Sequence, residues 1–511
     1  LLGVYRSDSA GANETWETIG AGGSEEFQLF SRTYTIGENV ETEYHGEQAM
    51  LIAVSYDDPN YVYVGGQNLW TGYKVSEDIE PFQWIQKTYN SFPKYDPQFI
   101  TANMHQMVAQ ENNGVYFVAT DGGIFRYHPQ TGSVRLNNYL LTGQFYDVSF
   151  GPKGAIIAGS ESNGMFVNRF DGPGSQRFFG TEVIEEFDFA DGARSGYQGL
   201  ISQVNPNIFF YEHSEARLRR KLDFGKSIKD IYDSLMTDIN NIDWDVNNAP
   251  MAMWESEDYP YGYDTYSYKT FDTLFPGDID TTESRNIANM PIIVNIEDTI
   301  PRNGMVDFED PYKSIFTIGI KGQLWMTNKA TSNLSILNHD WFDIFNIYDY
   351  YNIPSDQTPN LSATINDIAF SPEGHHLYIA VNYMTDTANK SEIFRIDSLH
   401  TVVKDKSYGW SYIDANDTLT DDRILEYTQK LGQTYTQEIT SVAVDPNNKG
   451  RLIITFSNYD DQDKVFVCDN ANTTTSESFN HNFRSIQGNL PHMPILHAMV
   501  NIAQPDPNTG H

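Results

Sequence analysis

The 511-residue chain has a single cysteine, Cys468, and therefore cannot form a disulfide within itself. It has no apolar run long enough to cross a bilayer, so direct membrane insertion is not expected. Nucleophile elbows, phosphate loops and dinucleotide fingerprints do not occur, and the histidines lack the spacing of a metal site. The sequence therefore gives no sign of a hydrolase with a nucleophile elbow, of a nucleotide-binding enzyme with a phosphate loop or dinucleotide fingerprint, or of a histidine-ligated metalloenzyme.

Basic residues are also scarce. The chain has 33 Lys and Arg against 69 Asp and Glu, which gives a formal net charge of −36. The acidic residues are spread along the whole sequence and do not form a tail. Such a surface repels phosphate backbones and anionic lipids, so nucleic acid is not expected among the partners.

One phrase recurs along the chain. It consists of a short apolar strand, a turn built on Pro with Asp, Asn or Gly, and a second strand rich in aromatic and β-branched residues. Copies span residues 50–64, 146–157, 200–210, 365–379, 439–455 and 495–509, and a variant without Pro spans 104–120. A supersecondary unit repeated every several tens of residues is typical of a β-propeller.

The fold prediction is therefore all-β: a single β-propeller domain over residues 1–511, with about seven to eight four-stranded blades. The chain opens on a hairpin-like phrase and finishes on the first strand of a blade. We expect these terminal strands to pair and close the ring, an open fragment being the alternative. We also expect that the natural start, with its export signal, is not part of this chain.

A different texture interrupts the repeat, and we predict an insertion around residues 212–305. Ile228, Ile231, Leu235 and Ile239 have near-helical spacing, which predicts a short amphipathic helix within residues 226–239. A tyrosine-rich stretch follows. Its candidate contact residues are Tyr259, Tyr261, Tyr263, Tyr266 and Tyr268, because tyrosine gives a large, rigid contact area. The alternative interpretation is that these tyrosines cover the flank of the propeller itself.

Two acidic loops are candidate calcium sites, because Ca²⁺ prefers carboxylate and amide oxygens. Their possible ligands are Asp414, Asn416, Asp417 and Asp421 in one loop and Asp460, Asp461 and Asp463 in the other. Neither loop has the glycine turn and closing glutamate of an EF-hand. A solvated acidic loop is the alternative interpretation, and no cofactor other than Ca²⁺ is expected.

Two segments resemble the Asp-box of the sialidase superfamily, Ser-x-Asp-x-Gly-x-x-Trp. One has Ser7, Asp8 and Gly11 followed by Trp16, and the other has Asp469 and Asn470 followed by Phe483. More widely, the chain resembles the exported Asp-box (BNR-repeat) and sortilin-like, or VPS10-like, propellers of Bacteroidota. The segments that carry this likeness are residues 64–70, 119–126, 136–146, 202–207, 322–327 and 487–491.

The resemblance implies export and a role in binding. The expected function is a secreted or cell-surface module that binds proteins or glycans, attached to an outer-membrane complex such as the type IX secretion and gliding machinery. Expected partners are other surface or outer-membrane proteins, or a glycan. Repeated Asp-Ser and Asp-Thr motifs, for example at Asp272 and Asp298, resemble the O-glycosylation sites of exported proteins of the same phylum.

The chain departs from these relatives where polar groups line the entrance near the axis, at residues 101–105 and 159–164. The alternative function is a sialidase-like or xyloglucanase-like glycoside hydrolase, which needs a carboxylate pair across a cleft. The phrase Phe394-Arg395-Ile396-Asp397 is the nearest match to a sialidase arginine motif, but it reads as part of an ordinary hairpin. We therefore expect the protein not to be an enzyme and assign no catalytic residue.

Overall fold

The computed structural model consists almost entirely of antiparallel β-strands. The described residues are 3–7, 9, 12–21, 31–36, 39–44, 49–74, 82–110, 114–137, 145–160, 164–168, 182–183, 196–213, 217–222, 228–230, 248–333, 340–353, 362–385, 388–405, 409–413, 419–420, 427–473 and 483–500. They form two compact units, Leu1–Gly143 and Gln144–His511. Seven four-stranded sheets occur within these described ranges.

The first unit contains two of these sheets and two separate hairpins. The hairpins are β1 (Gly3–Ser7) with β2 (Trp16–Ala21), and β3 (Ser31–Ile36) with β4 (Asn39–Tyr44). Blade 1 contains β5 (Leu51–Val54), β6 (Tyr61–Gly65), β7 (Leu69–Tyr73) and β8 (Gln83–Gln86). Blade 2 contains β9 (Met104–Ala109), β10 (Tyr116–Thr120), β11 (Gly123–His128) and β12 (Gly132–Arg135).

Apolar side chains join the elements of this first unit. Tyr63 of blade 1 packs on Tyr116 of blade 2 with 4.7 Å between ring centroids, inside a cluster that also buries Met104. The β1–β2 hairpin packs on blade 1, and the indole of Trp84 donates to the carbonyl of Ile19 at 2.9 Å. Burial of these strand faces stabilises the unit by removing apolar area from water.

The second unit begins with blades 3 and 4, each a simple meander. Blade 3 contains β13 (Phe145–Phe150), β14 (Ile156–Ser160), β15 (Gly164–Asn168) and β16 (Glu182–Val183). Blade 4 contains β17 (Gly196–Ile201), β18 (Phe209–His213), β19 (Arg217–Lys221) and β20 (Ile228–Asp230). A 3-10 turn, Pro152–Gly154, occupies the proline turn of blade 3.

Blade 5 carries a long insertion between its first and second strands. Its four strands are β21 (Met251–Ser256), β26 (Lys313–Ile320), β27 (Gln323–Thr327) and β28 (Phe342–Asn346). The inserted strands are β22 (Asp264–Lys269), β23 (Ile279–Glu283), β24 (Pro291–Asn295) and β25 (Met305–Asp310). A single-turn helix, α1 (Ile347–Tyr350), follows β28, and the side chain of Asn346 caps it by accepting from the Tyr348 amide.

Blades 6 and 7 complete the second unit. Blade 6 contains β29 (Ala363–Phe370), β30 (Leu377–Met384), β31 (Asn389–Ile396) and β35 (Thr428–Tyr435), and a 3-10 turn, Leu399–Thr401, follows β31. A smaller sheet, inserted before β35, contains β32 (Val402–Asp405), β33 (Gly409–Ile413) and β34 (Leu419–Thr420). Blade 7 contains β36 (Ile439–Asp445), β37 (Asn448–Phe456), β38 (Val465–Cys468) and β39 (Arg484–Ser485).

Hydrogen bonds also join neighbouring blades of the second unit. Side chains on the first strand of blade 6 bond backbone groups on the first strand of blade 7. The amide of Asn366 on β29 donates to the carbonyl of Ile439 on β36 at 3.0 Å. The adjacent carboxylate of Asp367 accepts from the Val442 amide at 2.8 Å. Burial raises the pKa of Asp367, although these hydrogen bonds favour its charged form.

The same pair of bonds recurs one blade further on. Thr440 on β36 donates to the carbonyl of Ile495 at 2.5 Å, and Ser441 accepts from the Ala498 amide at 3.3 Å. Residues 495–498 therefore lie against β36 as β36 lies against β29. Residues 495–500 are not part of a strand within the described ranges, and both the further blade strand and ring closure between the terminal strands stay predictions.

The structure corrects the expected bounds of the insertion. Within the expected range, the described segments Phe209–His213, Arg217–Lys221, Ile228–Asp230 and Met251–Ser256 are blade strands. The described insertion, between the first and second strands of blade 5, spans residues 257–312. The helix expected within residues 226–239 is wrong where it is described, because Ile228–Asp230 forms β20 and pairs with β19. Residues 231–239 lie outside the described ranges. Pairing with a neighbouring strand outweighs a local helical spacing when the strand edge would otherwise stay unpaired.

Candidate functional site

The insertion, residues 257–312, is one long hairpin. The outgoing arm forms β22 and then β23, and the returning arm forms β24 and then β25, with β22 paired to β25 and β23 paired to β24. Between these two ladders, Leu274 and Ile300 form a bridge, so the arms stay together along the bend. The hairpin thus contains a base sheet, β22–β25, and a tip sheet, β23–β24, which are joined by the bend, residues 270–278 and 296–304.

The hairpin folds back so that its tip contacts its own base. Ser284 at the tip donates to both carboxylate oxygens of Asp310 at 2.8–3.0 Å, and the backbone amides of Arg285 and Asn286 donate to the same carboxylate. The side chain of Asn286 donates to Asp264 at 2.8 Å. Several charge-assisted bonds to one buried carboxylate make a stable clamp.

Apolar packing supports this clamp from both sides. Phe308 on the base sheet and Val294 on the tip sheet belong to one buried cluster between the two sheets. Ile287 and Ala288 at the tip are fully buried in the core shared by blades 4 and 5. The insertion is therefore a small two-layer structure anchored in the blades, and its bend is the part most exposed to water.

The five tyrosines predicted as contact residues divide into two groups. Tyr266 and Tyr268 point into the cluster between the two sheets, and their hydroxyls donate to Asn286 at 2.9 Å and Asp280 at 2.7 Å. Burial, the first cause, raises the pKa of both phenols, which is consistent with structural roles. Tyr266 and Tyr268 therefore pack within the insertion itself, and the role of the five tyrosines in contact or in covering the flank of the propeller stays a prediction.

The other three tyrosines lie nearer the surface. Tyr259 lies beside Tyr261, and the ammonium of Lys313 lies 5.5 Å from the Tyr259 ring centroid. Tyr263 is exposed and donates to Asp258 at 2.5 Å. Two of the five candidates, Tyr261 and Tyr263, therefore remain partly available for contact.

Tyr261 also links the insertion to blade 6. Its ring stacks on His400 at a centroid distance of 4.2 Å, and His400 lies 4.3 Å from His375. His375 lies 4.6 Å from His376, which bonds Asp397 at 2.7 Å. Burial and the two neighbouring imidazoles lower the pKa of His375 to about 4, so this imidazole is neutral near neutral pH.

The acidic loop after β37 already holds a cation from the chain itself. The buried ammonium of Lys464 donates to the Asp460 carboxylate at 2.9 Å and to the Asp460 carbonyl at 2.7 Å. The Lys464 hydrogen bond lowers the pKa of Asp460. Among the described residues no group of three or more His, Cys, Asp or Glu is arranged to hold a metal.

Calcium binding stays a prediction at both loops. Asp461 and Asp463 flank the Lys464 contact in the loop of residues 457–464. The other predicted ligands, Asp414, Asn416, Asp417 and Asp421, lie outside the described residues.

A polar network in the first unit was missed by the sequence analysis. Asn103 donates to Asp121 at 2.8 Å, and His105 bonds the other oxygen of the same carboxylate at 2.5 Å. Gln67 donates to Asn103 at 3.1 Å and accepts from Asn90 at 3.1 Å. The expectation that the substitutions at residues 101–105 and 159–164 remove most polar groups from the entrance near the axis stays a prediction. Asn103 and His105 belong to a connected polar network between blades 1 and 2.

Several carboxyls elsewhere have raised pKa values, and two of them, Glu212 and Glu255, bond backbone amides that lie next to strands of a neighbouring blade. Burial raises the pKa of Glu212 to about 8, and this carboxylate accepts from the Ala249 amide at 2.8 Å. Burial also raises the pKa of Glu255, which accepts from Ser202 and from the Gln203 amide, each at 2.6 Å. Perturbed carboxyls at such positions are typical of structural contacts between blades as well as of active sites.

The arginine of the sialidase-like phrase has a structural contact. Arg395 is buried, and its guanidinium forms two bonds to Asp397, at 2.5 and 2.8 Å. A further bond goes to the carbonyl of Ala471 in blade 7. The bidentate pair fixes the guanidinium at the end of β31, and the bond to Ala471 joins blade 6 to blade 7.

The two Asp-box candidates differ in their surroundings. Trp16 is 59% exposed, whereas Phe483 packs against the cluster shared by blades 6 and 7. Asp469 binds Arg451 at 2.8 Å and Arg484 at 3.0 Å. Asp8 lies outside the described residues, and the assignment of both segments as Asp-boxes stays a prediction.

Comparison with known proteins gives remote structural likenesses only. No family model and no curated protein match this sequence. The β-propeller domain of Cps50 (Swd1) from Myceliophteria thermophila is 7% identical, with a TM-score of 0.33 over 74% of this chain and 87% of that one. The Dos1 propeller is 8% identical, with a TM-score of 0.25 over 80% of this chain and 89% of that one.

A third structure is PorZ of Porphyromonas gingivalis, described as an essential bacterial surface component of the type-IX secretion system. It is 12% identical, with a TM-score of 0.35, and the match covers 96% of this chain and 56% of that one. The present chain thus spans just over half of the PorZ structure. At these identities and scores the likenesses say nothing about function. The described residues contain no helix that is long and apolar enough to span a membrane.

Proposed function

We propose that the protein is a secreted or cell-surface β-propeller that binds other proteins or glycans and serves in assembly. The observation that carries this proposal is the insertion in blade 5. It is clamped at its tip and base, yet it keeps large apolar side chains in water, among them Phe271 and Ile279. Apolar side chains that are exposed together on an ordered element, outside its own core, are a common mark of an interaction site.

The clamp matters for binding because a rigid support reduces the entropy lost on association. Each immobilised side chain costs about 0.5–1.5 kcal/mol when it is ordered only on binding. In the insertion, the buried residues Ile287 and Ala288 and the hydrogen bonds to the Asp310 carboxylate hold the strands in place before any partner binds. Surface loops held by a stiff scaffold are common binding elements for the same reason.

The cellular setting in the proposal is an outer-membrane assembly of the type IX secretion or gliding kind. Its support is the sequence resemblance to exported Bacteroidota propellers, carried by segments such as residues 119–126 and 487–491. The acidic surface fits an exported protein that neither binds nucleic acid nor inserts into a bilayer.

We also propose that the protein has no catalytic activity. Arg395 is the arginine of the sialidase-like phrase, and its guanidinium donates two hydrogen bonds to the Asp397 carboxylate. The carboxyls of Glu212 and Glu255 accept hydrogen bonds from the backbone amides of Ala249 and Gln203, respectively. No observation on the described residues favours a cleft carboxylate pair over these structural roles.

Affinity purification from the surface and membrane fraction of the source cells tests the proposal. We expect surface or outer-membrane proteins to co-purify in a fixed ratio, identified by mass spectrometry. A glycan array and a polysaccharide-hydrolysis screen should be run on the same preparation. Recovery of the protein alone, with turnover of a polysaccharide, would replace the binding role with the glycosidase alternative.

A further inference from the structure

We propose that the outward side of the insertion docks a partner protein whose contact surface is apolar at its centre and basic at its rim. This inference rests on the proposed binding function and names its site and the chemistry of the partner. The docking surface has two parts: the exposed face of the tip sheet, with Ile279 and Ile293, and the bend, with Phe271 and Phe275.

The strand register explains why one face of the tip sheet is left without a partner in the described chain. Ile292 and Val294 point into the cluster between the two sheets, so the alternate residues point away from it. Thr281 lies opposite Ile293, and Ile279 occupies the next outward position on the same strand. Ile279 and Ile293 are 70% and 69% exposed, although an outward position on a solvated strand ordinarily holds a polar residue.

The bend adds two aromatic rings. Phe271 is 88% exposed and Phe275 is 57% exposed. The backbone around them is fixed: Arg302 donates to the Phe271 carbonyl at 3.1 Å, and the Phe275 amide donates to Asp278 at 2.7 Å. Exposed aromatic rings on an ordered backbone are the usual anchors of protein interfaces.

Charge identifies the kind of partner. Residues 257–312 contain twelve Asp and Glu against three Lys and Arg. Asp272 and Asp278 lie within the bend itself and are exposed. A basic rim on the partner would complement this surface, whereas a second copy of this acidic chain or an anionic bilayer would be repelled by it.

Site-specific cross-linking in the source cells provides the test. The photo-reactive residue p-benzoylphenylalanine is placed at position 271 or 293 of the full chain, and at the exposed Tyr459 of blade 7 as a control. We expect cross-links from 271 and 293 to one protein, through peptides that contain Lys or Arg beside apolar residues. Cross-links mainly to a second copy or to lipid, or none above the level at 459, would overturn the proposal.

Substitution of the same surface gives an independent readout. The variant Ile279→Thr with Ile293→Thr removes apolar area but keeps β-branched side chains that suit a strand. We expect its affinity for the cross-linked partner, after purification, to fall at least about tenfold relative to the wild type, and the wild-type affinity to fall as salt rises. Tyr459→Asp should bind like the wild type, and equal affinity of the tip-sheet variant would overturn the proposal.

The docking surface and the binding function can be disproved separately. If partners co-purify but cross-link only through other surfaces, the docking surface is wrong and the binding function stands. If the protein is recovered alone from its native fraction, the proposed function itself fails.

Discussion

At the scale of single residues, the turn that holds Gly374 shows how little room separates β21 from the first turn of blade 6. Gly374 has a φ of +68°, in the left-handed region, and a Cβ there would lie 2.4 Å from the ring of Trp254. The Trp254 indole in turn donates to the carbonyl of Pro372 at 2.9 Å. Backbone conformation and close packing therefore both require glycine at this position.

Gly374→Ala should destabilise the protein by about 2 kcal/mol or more, since it adds a clash to the cost of a positive φ. Gly277→Ala is the matched control, because its φ is +91° and its Cβ would meet nothing within 4 Å. The free energies of unfolding of the two variants, measured in denaturant, should differ clearly. Equal losses would mean that Trp254 moves aside freely.

The histidine cluster predicts a pH dependence. The pKa of His375 is about 4 in the folded protein, below the value of about 6.5 in an unfolded chain. The folded state thus resists protonation, and stability should fall as pH drops from about 6.5 toward 4. Asp397 and Glu373 also face His375 and oppose this effect, whereas His376 and His400 add to it.

His375→Phe keeps a ring against His400 but removes the titration. We expect the thermal midpoints of the variant and the wild type to lie close together above pH 7. Below pH 6 the thermal midpoint of the wild type should fall further than that of the variant. A constant difference between them across the whole pH range would show that His375 does not carry this dependence.

At the scale of structural elements, the insertion separates what sequence patterns show from what they cannot show. The alternation of Tyr266 and Tyr268 with polar residues is visible in the sequence, and it gives a strand with one buried face. The pairing of β21 with β26 is not visible, because about sixty residues separate the partners. That long-range pairing is why the insertion was expected to begin at residue 212 instead of after Ser256.

The same reasoning applies to the acidic and polar sites. Asp460 was predicted as a calcium ligand because its sequence neighbours are acidic, and the structure shows that it also binds the Lys464 ammonium four residues along. The Asn103, His105 and Asp121 network joins a strand to a turn, a contact that sequence spacing does not reveal. The repeat predicted the four-stranded blades well, since each unit is local in sequence.

Removal of the clamp should loosen the insertion without unfolding the blades. Asp310→Ala leaves the Ser284 hydroxyl and three backbone amides, those of Arg285, Asn286 and Tyr312, without their acceptor. Each buried donor left unpaired costs about 1–3 kcal/mol. We expect hydrogen exchange of residues 284–290 to accelerate by at least tenfold.

The matched control for this change is Asp307→Ala, which removes one exposed bond to Ser267 on the base sheet. It should leave the exchange of residues 284–290 close to that of the wild type, as should blade strands such as β30 and β37 in both variants. Acceleration throughout the second unit in Asp310→Ala would contradict a local clamp and indicate that the insertion supports the whole core.

At the scale of the whole molecule, the chain combines a net charge of −36 with repeated four-stranded sheets and one clamped insertion. The sheets account for most of the buried core, and neighbouring blades of the second unit share it through clusters such as that of Ile365 and Phe394. A net charge of this size disfavours association between copies of the chain. The exposed apolar side chains of the insertion, such as Phe271 and Ile279, are the ones that the proposed binding function would use.

The central claim is that this propeller works as part of an assembly. The most direct test is the mass of the native particle, measured by light scattering on the protein released gently from its source surface fraction at low salt. We predict a native particle heavier than the same protein measured alone after denaturation, by the mass of at least one different protein in a fixed ratio. A native particle with the mass of the denatured protein alone would contradict the account.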